Sequence, residues 1–124
     1  MNAEATLKAM IEAAAAAAKG KWKKLKGFAE AEFRALTKAG RQLEADLLAD
    51  IAAAAALTTA KKRKAATEKA KLRARLGFDN LRLAAEGVLI VGEADVKLAA
   101  QDAINAAIGI LRTAINDAAG IAIL

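Results

Sequence analysis

Apolar residues recur every three or four positions along almost the whole chain, which is the period of an α-helix. Leu7, Met10, Ile11, Ala14 and Ala18 form a first stripe behind Asn2, a residue whose side chain can cap a helix N-terminus. Lys19 followed by Gly20 is a C-terminal signal: a cation near the negative helix end, then a residue able to take the left-handed conformation. The apolar phase nevertheless continues through Trp22, Leu25, Ala29, Phe33, Leu36, Gly40, Leu43, Leu47 and Ile51. Two helices joined by a turn near Gly20, or one long bent helix, both satisfy this pattern.

Residues 28–57 read as a helix with Phe33, Leu36, Leu43, Leu47 and Ile51 inward and Arg34, Lys38, Arg41 and Glu44 outward. Thr58 and Thr59 offer a break and a cap for the helix that follows. That helix is predicted over 60–76, where Gly77 either ends it, with Asp79 capping a fresh start, or is a glycine tolerated within a longer helix. Beyond Ala60 there are two apolar faces, one with Ala65, Leu72, Leu76, Leu83, Ile90 and Ala94, the other with Ala70, Ala74, Leu81, Ala85 and Val88. A helix with two apolar faces lies between neighbours. Gly87 to Gly92 has the residues of a short strand, but no second strand exists for it to pair with, so helix is the expectation.

The C-terminal part, within a helix predicted over 79–122, is apolar around most of its circumference. Asp102, Asn105, Gly109, Arg112 and Asn116 form one narrow polar stripe on it. The fold expected is therefore all-α, a single helical domain over 1–124 with segments at about 3–19, 28–57, 60–76 and 79–122 and turns near Gly20, Thr58–Thr59 and Gly77. An elongated helical hairpin or a small bundle of long Ala-rich helices both fit.

Composition adds a reason to expect assembly. The chain has 37 Ala against 33 Val, Ile, Leu, Met, Phe and Trp together, so most of its apolar character is in methyl groups. At about 25 cal/mol per Å² of apolar surface, such a core leaves a thin margin over chain entropy. Oligomerisation is expected to complete it, through Ile104, Ile108, Leu111, Ile115 and Ile121.

The chain contains no His, Cys, Ser, Tyr or Pro. A thiol nucleophile and a His- or Cys-ligated zinc site are excluded, and the usual general base and hydroxyl nucleophile are missing, so no enzymatic activity is expected. No cofactor site is expected either: the glycines fit neither a phosphate-binding loop nor a dinucleotide fingerprint. Glu30/Glu32, Glu44/Asp46/Asp50 and Glu93/Asp95 are the carboxylate groupings, and they read as solvated or ion-paired groups rather than metal ligands.

The net charge of +6 is concentrated in the middle of the chain, where residues 51–82 hold nine basic and two acidic groups. Lys61, Lys62, Arg63, Lys69 and Arg73 are the candidate contacts for a nucleic acid bound without sequence preference. A solvated face explains much of the same cluster, because Lys64–Glu68, Arg75–Asp79 and Arg82–Glu86 are spaced as i,i+4 ion pairs, leaving Lys62, Lys69 and Arg73 as a second ridge. Lys21, Trp22, Lys23, Lys24 and Lys26 are candidate contacts with an anionic membrane or granule surface. A basic connector whose Trp22 and Leu25 join the core is the alternative. No signal peptide is evident, and the longest uncharged runs fall short of the ~20 residues that span a bilayer.

In composition the chain resembles several groups of Ala-rich helical proteins: small phage virion or ejection components, granule-coating amphipathic proteins and basic chromatin-like proteins. The expectation is a non-enzymatic structural protein that forms a helical homo-oligomer, most concretely a phage-type virion component, located in the cytoplasm or the virion. Nucleic-acid binding through the basic middle, or attachment to a membrane or granule surface, are the alternatives.

Overall fold

The computed structural model describes residues 1–89, 94–120 and 124, and the described residues are helical almost throughout. Helix α1 spans Ala3–Ala18, a 3-10 turn Lys19–Lys21, α2 Trp22–Ala55, α3 Ala60–Leu89 and α4 Ala94–Ala119. At about 1.5 Å per residue, α1 covers only about half the length of α2.

Chemistry expected at the helix ends is present at several of them. Asn2 Oδ1 accepts from Ala5 N at 3.0 Å, capping α1. Thr59 Oγ1 accepts from Lys62 N at 3.2 Å at the start of α3, while Arg63 turns back to donate to Leu57 O at 2.9 Å. The chain therefore breaks where the threonines predicted.

At the first junction the two-helix alternative holds, with a correction. The residue with positive φ is Lys19 (φ 54°), not Gly20. A Cβ at Gly20 would meet nothing within 4 Å, so that glycine serves neither close packing nor a left-handed turn.

α1 and α2 form an antiparallel pair. The Met1 ammonium donates to Glu44 Oε1 at 3.0 Å, and the buried Thr37 hydroxyl lies 3.4 Å from Met10 Sδ and 2.8 Å from Phe33 O. Glu44 is thus turned onto the start of α1 rather than outward. α3 returns along α2, and α4 returns along α3 to pack most extensively on α1.

The core contains Met10, Phe33, Leu47, Phe78, Ile104, Leu111 and Ile115, all fully buried. Two glycines mark close approaches: a Cβ at Gly40 would stand 2.8 Å from Leu111 Cδ1, and one at Gly77 2.7 Å from Leu43 Cδ1. Of the two alternatives at Gly77, the turn is absent and the tolerated glycine is present. The glycine lies inside α3, where it lets α3 and α2 come together. The single helix expected over 79–122 is instead two, α3 ending at Leu89 and α4 starting at Ala94. Most of the Gly87–Gly92 stretch lies outside the described residues.

Core residues end at Leu47 on α2 and begin at Ala70 on α3. Residues 52–69 therefore continue as a two-helix arm, in which Ala54 is the one buried residue.

Candidate functional site

Three surfaces expected from the sequence can now be placed. The first is the proposed oligomer face of the C-terminal helix. Ile104, Ile108, Leu111 and Ile115 are all buried inside the single chain, so α4 spends this face on its own bundle. They are not free to meet another copy unless the bundle opens. Ile121 lies outside the described residues. The polar stripe on the same helix is the solvent edge: Asp102, Asn105 and Arg112 are exposed, Gly109 and Asn116 half-buried. Arg112 is more than an edge residue, since its guanidinium carbon sits 5.4 Å from the centroid of the Phe78 ring and ties α4 to α3.

The second surface is the basic segment. Lys61 and Lys62 lie at the exposed tip of the arm and Lys69 along it. Arg63 is engaged with the end of α2, and Arg73 reaches across to Asp50 Oδ2 at 3.2 Å. Arg73 is therefore not part of an unpaired ridge, and two of the five candidate cations have partners within the chain. Two acids of the expected i,i+4 pairs also have partners at a different spacing. Glu68 pairs with Lys71 at 3.5 Å and Asp79 with Arg82 at 3.6 Å, both at i,i+3 spacing. Both pairs lie at the surface, where such pairs contribute ~0–1 kcal/mol each. Asp50 and Asp46 are both engaged, the latter accepting from Gln42 Nε2 at 2.9 Å.

The third surface is the lysine-rich turn. Lys21, Lys23, Lys24 and Lys26 are exposed, but Trp22 is half-buried against the core and Leu25 is buried. The connector arrangement accounts for Trp22, and Phe28, 75% exposed, is the aromatic that faces water beside these lysines. Among the described residues no helix is long and apolar enough to cross a membrane, and no group of acidic side chains could hold a metal ion.

A fourth surface was visible in the sequence only as the second apolar face of α3. Ala70, Ala74, Phe78 and Ala85 are buried against the bundle. Leu72, Leu76 and Leu83, within about 40° of one another at 100° per residue, remain 53%, 58% and 57% exposed. Their line lies roughly opposite the buried face of the helix. The expectation that α3 lies between neighbours on both faces is met within the chain on one face only. Periodicity alone does not separate the two faces; only the packing of α2 and α4 decides which one is covered.

No family model, curated protein or solved structure is significantly similar to this chain.

Proposed function

We propose that this is a non-enzymatic structural protein that acts by associating with copies of itself. The observation that carries this reading is the leucine line of α3: three large apolar side chains, each more than half exposed, on one face of one helix. Single exposed leucines are ordinary, whereas an aligned set along a helix is the form of a helix-pairing surface. The likeness in composition to small phage virion components gives the reading its most concrete form, a building block of a particle found in the virion or, before assembly, in the cytoplasm. Light scattering with sedimentation over a range of concentrations tests it. The expected result is a mass that rises with concentration, and a compact monomer up to ~100 µM, which leaves less than about 5.5 kcal/mol for association, overturns it.

A second reading is favoured by the arm. Lys61, Lys62 and Lys69 project from a thin, exposed two-helix extension, where a phosphate backbone can reach them. Binding of this kind is independent of sequence. It predicts affinity for any duplex that falls steeply with added salt, and no binding at low salt removes it.

A further inference from the structure

The leucine line of α3 belongs to a longer heptad seam whose charges specify what covers it. Lys62, Lys69, Leu76 and Leu83 recur every seven residues, and Ala65, Leu72, Asp79 and Glu86 interleave with them at alternating spacings of three and four. Seven of these eight residues are exposed and Glu86 is half-buried, so the seam is open along ~36 Å of helix, at 1.5 Å per residue. Its basic residues lie toward the N-terminal end and its acidic ones toward the C-terminal end.

Deepening the assembly reading above, on which this rests, we propose that the seam is covered by the same helix of a second copy, packed antiparallel about a two-fold axis near residue 74. An isologous contact must be self-complementary, and this register meets that demand. Leu76 of one protomer packs on Leu72 of the other, and Leu83 on Ala65. Lys69 meets Asp79, and Lys62 meets Glu86. Each layer occurs twice by symmetry, so no leucine is set against a charge and every acidic seam residue faces a lysine.

The alternatives fail on the same residues. Parallel pairing would place Lys62, Lys69, Asp79 and Glu86 each against itself. Sliding the antiparallel pair by one heptad would set Leu76 against Asp79 in one direction and Leu72 against Lys69 in the other. Charge order thus selects orientation and register as it does in coiled coils. Beside the seam, Glu68 comes opposite Arg82. Arg73 and Arg75 lie closest to the axis, where like charges would meet. Arg73 is already neutralised by Asp50, and Arg75 is engaged within its own chain.

Sedimentation equilibrium of the full chain and three charge variants tests the seam, with helicity by circular dichroism as the check on folding. K69E sets an acid against Asp79 at two symmetric sites and is expected to weaken dimerisation by about tenfold or more. D79K alone sets a second ammonium group against Lys69 and should weaken it similarly, and K69E/D79K should return it to within about threefold of wild type.

Because the chain has no Cys, a cross-linking arm is direct. A mixture of K69C and D79C proteins should form a heterodimeric disulfide under mild oxidation. K69C alone should not, its two copies lying ten residues, or ~15 Å, apart along the axis. Association that none of the charge variants changes, or a K69C homodimer as the main cross-linked product, overturns the seam while leaving the assembly reading standing. A wild type that stays monomeric overturns both.

Discussion

Helices α3 and α4 use apolar residues in opposite ways. On α4 the large side chains Ile104, Ile108, Leu111 and Ile115 point into the bundle and the polar stripe points out. On α3 much of the inward face is small, with Ala70, Ala74, Gly77 and Ala85 around Phe78, while three leucines face solvent. The difference shows that side-chain size alone does not rank faces by burial. At Gly77, where a Cβ would stand 2.7 Å from Leu43 Cδ1, the inner face of α3 has room for no side chain, while Phe78 beside it is fully buried.

The sharpest way to break this contrast is to shorten a buried side chain of α4. Leu111→Ala removes a fully buried side chain of α4 and should lower unfolding free energy by about 2–5 kcal/mol, read from urea melts; a loss below about 1 kcal/mol would mean that α4 is not a core helix.

A smaller effect separates the glycines of the two helices. Gly109 of α4 has open space where its Cβ would be, so Gly109→Ala should stabilise by about 0.5–1 kcal/mol through helix propensity. Gly77→Ala on the inner face of α3 should lack that gain, because its methyl group meets Leu43. Equal thermal midpoint shifts for the two variants would remove the close-approach argument.

The smallest expected effect is at the leucine line. Leu76→Gln should leave the unfolding free energy of the dilute, monomeric protein within about 0.5 kcal/mol of wild type, measured by the same urea melts, because the side chain is already in water. A large loss there would show that the leucines stabilise the isolated chain.

The sequence displayed the helices well, and their partners poorly. Asn2, Thr59 and the break before α3 were legible because capping is chemistry between near neighbours. The two apolar faces of α3 were legible too, from periodicity alone. Which face would find a partner was not, because that depends on how far α1, a short helix, reaches along α2 and on where α4 returns. The burial of Ile104, Ile108, Leu111 and Ile115 within one chain was not legible for the same reason: a helix that demands cover on several sides can obtain it from its own chain. Arg73 was misread as unpaired because its partner, Asp50, is twenty-three residues away on another helix. Gly77 and Gly20 resemble each other as letters, yet one permits two helices to touch and the other touches nothing.

The tip of the two-helix arm, residues 56–59, divides the contributors to the core along the sequence: α1 and α2 bring Met10, Phe33 and Leu47, and α3 and α4 bring Phe78, Ile104, Leu111 and Ile115. Severing the chain at Thr58 would leave two fragments, each holding part of the one core cluster. The exposed tip is therefore where a cut, added length or an inserted domain is expected to disturb the bundle least.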